Sequence, residues 1–169
     1  GDIYVTKPLI VNGDKILTGS GRILVKSDLG GDWNEAENNT TGWGKGCSAV
    51  KTEDTSGMSV LLTIKRGATL TMKDSVEADA VKKTNGVLVE KDGSFFLTEK
   101  AVVSNGRYVN LMVAQGAMAE IVGGGLQNGL AFGVINDGKL TVTGGTLFGN
   151  STGALVYTTG QTTQSGGTI

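Results

Sequence analysis

The feature that most limits what this chain can fold into is an internal repeat. Gly144-Gly145-Thr146-Leu147 returns as Gly166-Gly167-Thr168-Ile169, and Gly138 returns as Gly160, each 22 residues later. Turn glycines precede these at Gly116, Gly93 and Gly67, at intervals of 22, 23 and 26 residues. Periods of this length belong to stacked architectures, where each unit buries its apolar face on the next.

Each unit opens with an apolar run: Val60–Ile64, Val87–Val89, Val109–Val113, Phe132–Ile135 and Ala154–Tyr157. The turn glycine follows. Then comes a second strand, carried by Leu70/Met72, Phe95/Leu97, Ala119/Ile121 and Leu140/Val142, with Thr162/Gln164 as a weaker copy. A third apolar position follows at Val76, Val102, Leu126, Leu147 and Ile169. Lys139-Leu140-Thr141-Val142-Thr143 alternates, so one face is buried and the other wet. A helical reading fails, because each of the many glycines would cost about 1 kcal/mol relative to Ala inside a helix.

Three short strands per 22–26 residues describe one coil of an all-β, parallel β-helix. The preference for right-handed parallel crossovers makes it right-handed. A single domain is expected. Residues 1–20 read as an N-terminal cap, 28–57 as a long polar excursion, and 58–169 as regular coils. One degenerate coil is expected through Cys47–Val50, giving six or seven coils from Arg22 onward. Leu97, Val102, Leu111, Ile121, Leu126, Val134, Leu140, Val142 and Leu147 should point inward.

Composition removes several functions. The 15 basic and 16 acidic residues nearly cancel, which gives no support to a nucleic-acid partner or an anionic membrane. No apolar run approaches 20 residues, so membrane insertion is not expected in this segment. There is no histidine, which removes His-dependent triads and His metal ligands. The lone Cys47 forms no intrachain disulfide and reads as a small buried apolar residue.

Twelve residues after the turn glycine stands a small polar residue: Asp79, Asn105, Asn128 and Asn150. Stacked coils would set these one above another as a structural turn ladder of amides. Trp33 and Trp43 lie in the excursion and are the expected ligand-binding residues, as a flat platform for a sugar ring. The other reading has them packing that loop onto the body. Asp28, Asp32, Glu35 and Glu37 do not have EF-hand spacing, so no metal is assigned. No cofactor and no catalytic residue is assigned either.

The run Gly144-Gly145-Thr146-Leu147-Phe148-Gly149-Asn150, followed by Gly166-Gly167-Thr168-Ile169, resembles the GGTI-x-GN repeats of large bacterial surface proteins. These are parallel β-helices of the pectate-lyase-like class. Leu155-Val156-Tyr157 and Gly160 echo the lead-in of such repeats. The likeness is good over 132–169, weaker over 58–131 and only general over 1–57. It implies this fold and an extracellular, cell-surface setting and marks no ligand. The function expected on that architecture is an adhesin-type module, a scaffold or a binder of a glycan or host-surface ligand.

The alternative is a polysaccharide-active enzyme, a lyase or glycoside hydrolase, since fold does not decide function. A glycosidase needs two carboxyls about 5–9.5 Å apart on one groove. Later coils carry amides where Asp79 stands. A lyase would draw on Arg66, Arg107, Asp74, Glu77 and Asp79. An ice-binding array of Thr69/Thr71 and Thr141/Thr143 is interrupted by Phe95/Leu97 and Ala119/Ile121. Ile169 is an interior-type residue with no capping segment after it. The remainder of a longer polypeptide, or a partner chain, is therefore expected against the C-terminal end.

Overall fold

The computed structural model describes residues 1–26, 60–130, 132–148 and 156–169. The described residues contain strands and turns and no helix, stacked as a parallel β-helix. The first coil holds β1 (Ile3–Val5), β2 (Leu9–Val11) and β3 (Asp14–Leu17). The second holds β4 (Arg22–Val25), β5 (Val60–Ile64) and β6 (Thr69–Met72), and the third β7 (Glu77–Asp79), β8 (Asn85–Val89) and β9 (Ser94–Leu97). The fourth holds β10 (Val102–Ser104), β11 (Val109–Val113) and β12 (Met118–Ile121). The fifth holds β13 (Gly125–Gln127), β14 (Phe132–Asn136) and β15 (Lys139–Val142), and the sixth β16 (Thr146–Phe148), β17 (Val156–Thr158) and β18 (Gln161–Gln164).

Every third strand pairs, which gives three parallel sheets of six strands each. Sheet A begins with β1, sheet B with β2 and sheet C with β3. Among the described residues five coils follow from Arg22 onward, where six or seven were expected. The coil expected through Cys47–Val50 lies outside the described residues. β4 pairs directly with both β1 and β7, and β5 with both β2 and β8, so no further coil separates the first from the third. Residues 1–20, expected as a cap, themselves supply the first strand of every sheet.

The core runs along the axis in columns of like residues. Leu70, Phe95, Ala119 and Leu140 stack in register, and beside them Met72, Leu97, Ile121 and Val142. All eight are buried. In sheet A the inward column is Ile23, Ala78, Val103, Leu126 and Leu147. Val102, expected inward, instead faces out, opposite Glu77 and Gly125. The turn from sheet C to sheet A spans residues 98–101 before β10 but only 122–124 before β13. One residue of phase is enough to move a side chain to the other face.

Sheet B differs from its neighbours, because β5, β8 and β11 are buried along their whole length. Its outward column of Leu88, Met112 and Ile135 is only 1%, 1% and 2% exposed. Sheet C alternates cleanly, with Phe95 and Leu97 inside and Ser94 and Phe96 half-exposed outside.

Some of the columns become polar at the ends, while Leu17 continues the Met72 column. Lys15 stands in line with Leu70, and Thr162 and Gln164 with Leu140 and Val142. The sheet B column Val89–Val113 continues into Asn136 and Thr158. Asn136 Nδ2 donates to Thr158 Oγ1, to Thr162 Oγ1 and to the Gln161 carbonyl, so the last coil is joined by hydrogen bonds where earlier coils use apolar contact. Ile169, read from the sequence as an interior-type residue, is 43% exposed, and Val156 continues the apolar Val134 column into the last coil.

Phe95 and Phe96 are a built-in comparison of the two faces. Phe95→Ala should destabilise by about 3–5 kcal/mol, the range for emptying a packed aromatic site, whereas Phe96→Ala should cost under about 1 kcal/mol. Urea unfolding of the two variants tests this.

Candidate functional site

The ionisable side chains mostly join one coil to the next. Asp2 accepts from Arg22 Nη2 at 2.7 Å, and Arg22 Nη1 lies 4.0 Å from Asp79 Oδ2. Lys65 Nζ donates to Glu90 at 2.8 Å, and Arg66 Nε approaches Asp92 at 3.0 Å. Ser104 Oγ donates to Glu77, and Thr159 Oγ1 donates to Asp137. Apart from Arg22–Asp79, which the long segment between β4 and β5 separates in sequence, each pair sits 20 to 27 residues apart, and all join one coil to the next.

The corner between sheets C and A shows the same device with backbone partners. Gly19, Asp74, Glu99, Gly124, Gly145 and Gly167 all have positive φ there. Glycine takes this conformation without penalty, whereas Asp74 and Glu99 need compensation. Asp74 Oδ2 accepts from Thr18 Oγ1 and from Gly19 N, while Glu99 Oε2 accepts from Asp74 N at 2.6 Å. The Thr18 hydroxyl, then the Gly19 amide, hold the Asp74 carboxyl below its ordinary pKa. The Arg22 guanidinium does the same for Asp2.

The five residues from which a lyase site would be drawn are not gathered into one groove. Arg66 lies at the turn from sheet B to sheet C and Arg107 at the turn from A to B, its guanidinium 5.3 Å from the Tyr108 ring centroid. Asp74 lies at the third corner, and Glu77 and Asp79 on the outer face of sheet A. Among the described residues, no group of three or more Cys, Asp or Glu is placed to hold a metal ion.

Asp79 and Asn105 do meet. Asn105 Nδ2 donates to Asp79 Oδ1 at 2.9 Å, and the same oxygen accepts from Val81 N at 2.8 Å. They are not equivalent positions, however. Asp79 stands opposite Ser104, and Asn105 is one residue further on. Asn128 is Asn105's counterpart, with the same φ of 55°, but its side chain is exposed and reaches no other amide among the described residues. The ladder is therefore a single Asp79–Asn105 contact there, and Asn150 lies outside the described residues, as do Trp33 and Trp43.

Three other asparagines were not singled out by sequence and are fully buried: Asn85, Asn110 and Asn136. Asn85 Oδ1 accepts from Tyr108 N and Val109 N of the next coil. Asn110 Oδ1 accepts from Gly106 N, and its Nδ2 donates to the Gln127 carbonyl. These amides satisfy backbone groups where the chain turns from sheet A into sheet B. The available signal was their position inside apolar strands, as in Val109-Asn110-Leu111 and Val134-Ile135-Asn136.

With β5, β8 and β11 buried on both faces and the Asp2, Arg22 and Asp79 charges on sheet A, the open surface is the outer face of sheet C. Ile16, Thr71, Phe96, Glu120, Thr141 and Thr163 form one straight row along it. Strand spacing of about 4.8 Å sets the pitch of that row. It offers hydroxyls, one aromatic ring and one carboxylate on a flat support. At the first coil a cleft of about 230 Å³ also opens, lined by Ile3, Leu17, Ile23 and Val76 together with Arg22.

The depressed carboxyls predict acid sensitivity. A lowered folded-state pKa gives stability that is complete above the ordinary value of 3.8 and is lost as pH falls through the lowered values. Asp74→Asn should flatten that dependence in urea titrations run across acidic pH. Asn128→Ala should cost only about 1 kcal/mol, from placing Ala at positive φ, and Asn128→Gly still less. A larger loss in both variants would mean that the amide itself is bonded.

No protein-family model, no curated protein and no solved structure matches this chain.

Proposed function

We propose that the chain is a rigid, non-catalytic β-helical surface module of the adhesin type. It acts outside the cell and presents a flat face to an uncharged glycan or host-surface ligand. The observation that carries this reading is the use of the ionisable residues. Asp2, Asp74, Glu77, Asp79, Glu90, Asp92, Glu99 and Asp137 each bond across coils. Carboxyls held this way serve cohesion, whereas a general acid or base must be free to meet a substrate proton. Sheet C supports the binding part. Its hydroxyls and the Phe96 ring suit a polyhydroxylated, uncharged ligand, with aromatic stacking as the apolar contact. Trp33 and Trp43 remain in the proposal as further ring platforms. The remainder of a longer polypeptide, or a partner chain, would add strands to the C-terminal end through the polar columns of the last coil.

A glycan array together with a reducing-sugar and unsaturated-product assay tests the proposal. Binding without turnover, weakened by Phe96→Ala or by the Trp33→Ala/Trp43→Ala pair in folded protein, is expected. Turnover of any polysaccharide would replace the module with the enzyme reading.

A further inference from the structure

Four asparagines in this chain are followed directly by glycine: Asn12, Asn85, Asn105 and Asn128. An Asn-Gly pair is the sequence most open to cyclic-imide formation, because glycine leaves its own nitrogen unhindered. The fold treats the four very differently.

Asn105 and Asn128 form the sharpest comparison, since they occupy the same corner of successive coils with the same φ of 55°. At Asn105 both reacting groups are held. Its Nδ2 donates to Asp79 Oδ1 at 2.9 Å, and Gly106 N donates to Asn110 Oδ1 at 2.8 Å. At Asn128 neither group has a partner among the described residues, although Gly129 itself is buried. The residue opposite Asn110 in the next coil is Gly133, which has no side chain to accept the Gly129 N–H. The Asn128 side chain is exposed and makes no hydrogen bond among the described residues. Asn85 is fully buried, and its Oδ1 is fixed by two backbone donors. Asn12 lies exposed in the turn before β3, next to Gly13 at φ 73°.

We propose that Asn128-Gly129, and in the first coil Asn12-Gly13, are sites of spontaneous deamidation, and that the fold protects Asn85 and Asn105. Hydroxide removes the Gly129 amide proton, and that nitrogen attacks Asn128 Cγ. The N–Cγ bond forms, the Cγ–Nδ2 bond breaks, and the departing nitrogen takes a proton from water to leave as ammonia. Water then opens the imide. Attack at Cγ gives aspartate, and attack at the main-chain carbonyl gives isoaspartate. The second product routes the backbone through Cβ and Cγ, lengthening a tight corner between β13 and β14 by one atom.

The test uses the full chain in mildly alkaline heavy-oxygen water, with peptide mapping by mass spectrometry, folded and in concentrated urea. In the folded chain, peptides carrying Asn12 and Asn128 should convert at close to their rates in urea. Those carrying Asn85 and Asn105 should convert at least about tenfold more slowly, because reaction there waits for local opening. Asn110→Ala frees the Gly106 N–H, and in protein shown by circular dichroism to be folded it should bring Asn105 toward the rate of Asn128. Equal rates at Asn105 and Asn128 in the folded wild-type chain, or Asn85 and Asn105 reacting as fast as in urea, would overturn the proposal.

Discussion

The parallel backbone ladder between coils is the interaction on which everything else depends. A strand in the middle of a sheet gives its N–H and C=O groups to the coil on either side, so no coil satisfies its own backbone alone. Register is thereby fixed: Leu140 must lie on Ala119, and Val142 on Ile121. Side-chain chemistry then repeats along the axis whether or not a given residue benefits. The columns of Leu, Met, Phe and Ile inside, the cross-coil ion pairs outside, and the positive-φ corner running from Gly19 to Gly167 all follow from that one geometric rule.

Much of this was legible in the sequence, because a ladder forces periodicity and periodicity survives substitution. The turn glycines and the alternation of Lys139–Thr143 located strands β5 to β15 and most of the inward residues. What failed did so for a local reason. A corner that varies between three and four residues is invisible to a count from the previous glycine, which puts Val102 in the place that Val103 holds. The same drift equated Asp79 with Asn105, which are neighbours but not counterparts. Asn110 stands out as an amide inside an apolar strand, but the backbone groups that Asn85 and Asn110 serve in the next coil carry no mark of their own in the sequence. Alternation alone separates the inward Phe95 from the outward Phe96.

The interior is not uniform along the axis, and the difference affects how coils hold on. In the middle, cohesion comes from apolar burial, which is indifferent to small shifts. In the last coil it comes from Asn136, Thr158 and Thr162, whose hydrogen bonds require particular partners at particular distances. Burying polar atoms is tolerable only when they are paired, so this part of the stack is more exacting about its neighbour than the centre is.

The three corners also differ in what they allow. Between sheets B and C, and between C and A, the connections hold to two, three or four residues throughout. Between sheets A and B they run from residues 6–8 in the first coil to 26–59 in the second and 149–155 in the last, while the strands on either side keep their places. Closing a longer loop between fixed ends costs little, since the entropic penalty grows only with the logarithm of length. That edge of the solenoid is therefore a natural graft point. Peptides or whole domains could be spliced there, one per coil, and displayed in a line along the axis without disturbing the ladder.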